Sequence, residues 1–251
     1  MSRFNGKTVV ITGASSGIGE ACARKFVSEG ARVVLAARSK EPLDRLAAEL
    51  GGAVTEAVPT DISDVAQCKH LLQQAVSRFG SVDILVNNAG HNVRGDFEHL
   101  PLEEMLQILA VNIRAPMVLT RLALPTMRSQ GSGSVVNVAS LAGRFPLDEE
   151  ATYSATKFAL RIFSFAVAEE LRDSGIRISV VSPGPVDTGF ITDPSVIDEV
   201  PPIVFAQPMS TADEIADLVL DSAADGARER SKPAFSAKLA TLGYLAPGLR
   251  K

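Results

Sequence analysis

Cysteine is scarce: Cys22 and Cys68 are the only two in 251 residues, far apart and in neither a C-x-x-C pair nor a metal-ligand spacing. That excludes a disulfide framework and gives no zinc site, so no metal is expected; both thiols read as small buried hydrophobes. A basic excess is missing as well, since 25 Lys and Arg stand against 29 Asp and Glu. With a net charge of −4 and a pI near 5.5, the chain has no footprint for nucleic-acid phosphates. No uninterrupted apolar run reaches the ~18 residues of a membrane span. The opening Met1-Ser2-Arg3-Phe4-Asn5-Gly6-Lys7 lacks the long apolar core and cleavage site of a signal peptide, so a cytoplasmic protein is expected. No internal repeat, low-complexity tract or Ser/Gly linker marks a second domain, and one domain over 1–251 is expected. What is present is an ordinary globular composition, 46% hydrophobic and 22% charged, in a chain long enough to bury about 70% of its extended surface.

Short β-branched runs alternate with amphipathic stretches. Strands are expected at 8–12, 32–37, 54–58, 82–86, 135–139 and 176–181, with a weaker one near Ala234 and Phe235. These runs are apolar almost throughout instead of alternating, the pattern of strands buried on both faces of a parallel sheet. A doubly wound (Rossmann) α/β fold of about seven strands with helices on both faces follows.

The first strand runs into Thr12-Gly13-Ala14-Ser15-Ser16-Gly17-Ile18-Gly19 and then into a helix beginning about Gly17. Glycines at such a turn let backbone approach a pyrophosphate, whose charge meets free N–H groups and the positive end of the helix dipole. The spacing is G-x-x-x-G-x-G, not G-x-G-x-x-G. After the second strand comes Ala36-Ala37-Arg38-Ser39, without the Asp or Glu that usually binds a ribose 2′-hydroxyl. Arg38 is able to pair bidentately with a 2′-phosphate and Ser39 to add a hydrogen bond, with Ser15 a weaker third contact. NADP(H) is therefore favoured over NAD(H), although a solvated Arg after a strand is the simpler alternative.

Further motifs follow: Asn87-Asn88-Ala89-Gly90, Asn112, Ser140, Tyr153-Ser154-Ala155-Thr156-Lys157 and Pro183-Gly184-Pro185-Val186-Asp187-Thr188. Together with the glycine turn, they make the chain resemble the compact short-chain dehydrogenase/reductase family from about Lys7 to Phe235. The resemblance implies that Tyr153 is the general acid in carbonyl reduction and the general base in alcohol oxidation. A phenol with a pKa near ~10 needs a nearby cation for the second task. Lys157, four residues on in a stretch that reads as helical, shares its face. Tyr and Lys at this spacing occur on many helices by chance, and it is the family pattern that makes the pair catalytic.

The resemblance also implies that Lys157 holds the nicotinamide ribose and that Ser140 hydrogen-bonds the substrate oxygen, although a strand-terminal Ser is often only a cap. Asn112 would hold a water that relays protons from Lys157. The turn residues Gly13, Ser15, Ser16, Gly17, Ile18 and Gly19 would receive the pyrophosphate side of the cofactor. Asp61 and Ile62 would flank the adenine, and Asn88, Ala89 and Gly90 the adenosine ribose. Pro183, Gly184, Val186 and Thr188 would border the nicotinamide.

The segment 188–210 is expected to form a substrate lid, its apolar content pointing weakly to a hydrophobic carbonyl compound. His91, Asn92, Arg94 and Arg144 fall near the expected pocket, where an Arg is able to recognise a carboxylate or simply to be solvated. The basic tail 236–251, with Leu239, Leu242 and Leu245 on one side of a short helix, is expected to pack over the pocket or a sister subunit, with a membrane contact the less favoured alternative. The stretch 158–167 is apolar nearly all round, as for a helix covered on two sides, and a homodimer or homotetramer is expected. The leading reading is an oxidoreductase interconverting a ketone or aldehyde and an alcohol. The alternatives are a non-catalytic nucleotide-binding regulator or scaffold, and an NAD-dependent alcohol dehydrogenase.

Overall fold

A computed structural model describes residues 2–194, 196–200, 202–205, 208–235 and 241. Seven strands form one parallel sheet in the order β3-β2-β1-β4-β5-β6-β9. They are β1 (Thr8–Thr12), β2 (Arg32–Ala37), β3 (Thr55–Pro59), β4 (Ile84–Asn87), β5 (Gly133–Val138), β6 (Ile176–Pro183) and β9 (Glu229–Lys232). The helices α1 (Gly17–Ser28), α2 (Lys40–Leu50), α3 (Val65–Phe79), α5 (Ala115–Gln130), α6 (Ala151–Glu170) and α9 (Ala212–Asp225) connect them.

Both faces of the sheet are covered, which is why the strands are apolar throughout. Along β1, Val9 and Ile11 turn to one layer, with Phe26 of α1, Leu43 of α2 and Ile215 and Val219 of α9. Val10, between them, turns to the other layer, with Leu71 and Ala75 of α3 and Leu119 and Ala123 of α5. The chain leaves β1 toward β2 on one side and β4 continues on the other. The loops after β1 and β4 therefore diverge and open a crevice at their carboxyl ends, the switch point where open α/β sheets bind ligands.

Two details differ from the sequence reading. The seventh strand lies at Glu229–Lys232, and Ala234 and Phe235 are helical. Its sequence ERSK is polar because it is an edge strand, half-buried and paired on one side with Val180 to Pro183, so no apolar run announces it. Second, α4 (Leu102–Leu109), a π-helical turn Ala110–Arg114 and α5 run on as one helix. That helix is long and apolar enough to cross a membrane by length and composition, but 44% of its apolar window is buried in the protein; the hydropathy arises from the stripe Ala115, Leu119, Ala123 and Met127 against the sheet. On α6, Leu160 and Ser164 are buried while Ile162 is 56% exposed.

The segment after β6, where a lid is expected, has its own small core. Between β7 (Val186–Asp187) and β8 (Ser210–Thr211), which pair at its base, lie α7 (Gly189–Thr192) and α8 (Pro202–Phe205). Ile191, Val200 and Val204 bury one another together with Leu147, so part of the segment's apolar content serves its own packing. The tail 236–251, with Leu239, Leu242 and Leu245, lies outside the described residues apart from Thr241, whose hydroxyl accepts a 3.1 Å hydrogen bond from Arg144.

Candidate active site

The glycine turn after β1 is built by close approach. Gly13 has φ +67°, a conformation that glycine adopts at no steric penalty. A Cβ on Gly19 would sit 2.1 Å from the carbonyl oxygen of Gly13. The turn is held from the next loop: the Asn88 Nδ2 donates to the carbonyls of Thr12 (2.9 Å) and Gly13 (3.3 Å). The Thr12 hydroxyl accepts from the N–H groups of Asn88 (3.0 Å) and Ala89 (3.1 Å). Thr12 and the side chain of Asn88 thus bolt the two diverging loops together. Ser16 occupies the N-cap of α1 without a side-chain capping bond, so the first N–H groups of that helix stay open to the cleft. A Cβ on Gly17 would meet Thr188 Cγ2 at 3.2 Å, which puts the N-cap of α7 against the turn.

One cleft of ≈ 680 Å³ runs from this turn across the sheet. Every residue expected at the site lines it except Gly19 and Asn112. Arg38 and Ser39 stand exposed at its β2 end, and Ser39, the N-cap of α2, makes no capping bond there. Asp61 and Ile62 follow β3, where Asp61 accepts from the N–H and hydroxyl of Ser63 at 2.9 and 2.7 Å.

At the other end α6 presents Tyr153 and Lys157 one turn apart, with the Lys157 ammonium 5.5 Å from the Tyr153 ring centre. Ser140, two residues past the end of β5, caps the turn Leu141–Gly143, its hydroxyl accepting from Ala142 N–H at 3.1 Å. That turn lies directly on α6: a Cβ at Gly143 would be 2.7 Å from the Lys157 carbonyl oxygen. Burial raises the Tyr153 phenol well above its ordinary pKa, and the Glu150 carboxylate raises it further; Ser140 and the Arg94 guanidinium work against them. Lys157 is only 4% exposed, and burial pulls its ammonium down to about 8. Its ammonium donates to the Val138 carbonyl at 3.0 Å.

Asn112 lies behind the cleft. Its Oδ1 accepts from the N–H of His91, and its Nδ2 donates to the His91 carbonyl, both at 2.8 Å, and to Thr156 Oγ1 at 3.3 Å. The π-helical turn that carries Asn112 is the kind of helix irregularity that recurs at functional sites. Here it fixes the backbone N–H and carbonyl of His91, in the loop after β4, against α6.

The structure settles the two uncertain arginines differently. Arg144 turns away from the cleft and pairs with Glu229 at 2.6 Å, as does Arg161 at 2.9 Å. Arg94 lines the cleft and pairs at 2.7 Å with Glu150, both side chains being about 95% buried. This pair was missed from sequence because its members lie 56 residues apart. Also missed was a buried chain from Asn87 Nδ2 to Asn137 Oδ1 and from Asn137 Nδ2 to the Ser164 hydroxyl, 2.8 Å each, tying β4, β5 and α6 below the site. The only local signal for it is an Asn at the end of each of two otherwise apolar strands.

The profile described as short chain dehydrogenase matches residues 7–195. The chain belongs to the short-chain dehydrogenase family. Among curated relatives of this short-chain dehydrogenase is the ketoacyl reductase HetN of Nostoc sp., 41% identical over 196 residues that cover 77% of this chain and 68% of the relative. An uncharacterized oxidoreductase of Staphylococcus aureus is 37% identical over 190 residues, 76% of this chain and 82% of that one. A metagenomic short-chain oxidoreductase solved in complex with NADP superposes with a TM-score of 0.78 at 32% identity, over 92% of this chain and 98% of that one. The cradle in this chain fits such a dinucleotide: glycines that leave no room for a Cβ, open N–H groups on α1 and an unsatisfied Ser39 cap line one groove.

Proposed function

We propose that this short-chain dehydrogenase interconverts a carbonyl compound and the corresponding alcohol with NADP(H), Tyr153 acting as the general acid and base. The observation that carries this reading is the meeting of Tyr153, Lys157 and Ser140 at one end of a cleft whose other end is the open N-terminus of α1. The bound nucleotide supplies the hydride in reduction and takes it back in oxidation. Tyr153 gives its phenolic proton to the carbonyl oxygen, so that C=O becomes CH–OH, and Ser140 donates to that oxygen as negative charge gathers on it. Lys157 holds the nicotinamide ribose, and Asn112 positions the backbone between His91 and α6. NADPH consumption across a panel of ketones, aldehydes and keto esters tests the reading; binding without any turnover would favour a nucleotide-binding regulator.

Arg38 and Ser39 carry the preference for NADP(H). Among the described residues no ion pair engages Arg38, leaving its planar fork free for a 2′-phosphate. Arg38→Asp removes a charge-assisted pair and adds a repulsion, together about 3 kcal/mol, or roughly 100-fold in NADPH affinity. NADH, without the phosphate, is expected to lose less than about 3-fold. Fluorescence titration of both nucleotides checks this, and equal losses would remove Arg38 from 2′-phosphate recognition.

The pH dependence has a definite sign. The Lys157 ammonium is lost as pH rises through about 8, whereas Tyr153, pushed upward, stays protonated. The kcat/KM for reduction, which reports the free enzyme, is therefore expected to be level below this point and to fall about tenfold per unit above it. In the same alkaline window the unfolded chain still holds the lysine proton, so folding stability contributed by this group rises with pH. A pH profile of kcat/KM alongside urea midpoints tests both slopes.

A further inference from the structure

The substrate end of the cleft is apolar on most sides, with Phe145, Leu147, Val200 and Val204 on its wall. Against that wall stands a buried, charged corner. The Arg94 guanidinium uses Nε on Glu150 at 2.7 Å and reaches the Phe190 carbonyl with Nη2 only at 3.4 Å. Among the described residues no hydrogen bond engages Nη1. Its carbon lies 5.9 Å from the Phe190 ring centre, and the same ring lies 6.0 Å from that of Tyr153. Arg94, Glu150 and Tyr153 all line this one cleft. The Nη1 donor is not sealed in the interior and is available to an acceptor in the cleft that Arg94 lines.

We propose that Arg94 is a specificity-determining residue that donates to a second, uncharged acceptor oxygen of the substrate, so that keto esters and keto thioesters are preferred over simple ketones. The inference rests on the carbonyl-reductase reading and deepens it. The argument for an uncharged oxygen is electrostatic. Glu150 already pairs with Arg94, so a carboxylate held by the free Nη would bring a second negative charge against that ion pair, close to an oxygen that must itself become negative in the reaction. A neutral carbonyl takes the free Nη donor without that penalty. Phe190, 40% exposed, has its ring 5.9 Å from the Arg94 guanidinium carbon and 6.0 Å from the Tyr153 ring.

The experiment compares kcat/KM for ethyl acetoacetate, the methyl ketone of the same chain length and acetoacetate with NADPH. Ratios are read, because the ester is intrinsically more reactive and absolute rates move with any change near Tyr153. In the wild type the ester exceeds acetoacetate. In Arg94→Met with Glu150→Gln, which leaves no unpaired charge, the ester-to-ketone ratio falls on the order of 10- to 100-fold, the size of a charge-assisted hydrogen bond. Arg94→Lys, which retains the ion pair but not the fork, lowers the same ratio should the double variant fail to fold. Glu150→Gln alone, by uncovering the positive charge, raises acetoacetate relative to the ester by about tenfold. A ratio unchanged within about 2-fold in the double variant and in Arg94→Lys overturns the proposal while leaving the reductase reading intact; so does a wild-type preference for acetoacetate. Failure of the wild type to reduce any carbonyl would instead sink the reductase reading, and the proposal with it.

Discussion

Tyr153→Phe is expected to lower turnover by a factor on the order of 10³ while changing NADPH affinity by less than about 3-fold. The substitution removes one oxygen and leaves a ring that still packs against Phe190, 6.0 Å away between centres, and that still lies beneath Lys157. What disappears is the hydroxyl that the proposed mechanism uses as the proton donor to the carbonyl oxygen. Ser140 has a far weaker acid, its hydroxyl already accepts from Ala142 N–H, and Lys157 is engaged with the Val138 carbonyl. Because burial and the nearby Glu150 carboxylate both favour the neutral phenol, Tyr153 is poised as an acid in the protein without nucleotide. The check is single-turnover and steady-state kinetics beside a nucleotide titration. Retained turnover would mean that the proton comes from elsewhere, whereas a parallel loss of nucleotide binding would make Tyr153 a structural residue.

Gly19→Ala is expected to weaken nucleotide binding by at least about 100-fold and to lower stability by about 2–4 kcal/mol. The new methyl would meet the Gly13 carbonyl oxygen at 2.1 Å and carbon at 2.7 Å, and Asn88 Nδ2 at 2.6 Å. Two of those atoms are backbone in a turn pinned by Asn88 and Thr12, so relief requires moving the segment that presents the open end of α1. Gly17 differs in kind: its φ is +54°, but the nearest atom to an added Cβ is a Thr188 side-chain methyl at 3.2 Å and not backbone. Gly52→Ala, with nothing within 4 Å of the added carbon, is the control and should change stability by under about 0.5 kcal/mol. Urea midpoints and NADPH titrations of the variants decide the matter; a folded Gly19→Ala protein with wild-type affinity would show that the turn is not the cofactor cradle.

Much of this site is legible without coordinates because its signals are local. Glycines at a strand-to-helix junction, and a Tyr and a Lys one turn apart, depend on residues within eight positions of each other, and helix and strand periodicities turn such spacings directly into shared faces. Asn112 is legible as a residue out of place in a helix, but its action is not: only the π-helical turn shows its amide closing on the His91 backbone. Arg94 and Arg144 look alike in sequence. They part company because the loop after β4 returns over the N-terminus of α6, carrying Arg94 to Glu150, while β9 brings Glu229 beneath Arg144.

By itself, then, the amino-acid sequence determined the parallel sheet, the glycine turn, the pairing of Tyr153 with Lys157 and the positive charge after β2, since each is a matter of period or short spacing. The tertiary structure alone decided where the polar seventh strand lies, which arginine faces the cleft, and how Asn88 and Thr12 lock two loops across the switch point. Those outcomes depend on which segments the chain brings side by side after dozens of intervening residues, and a charged or polar side chain carries no periodic mark of the partner that will bury it.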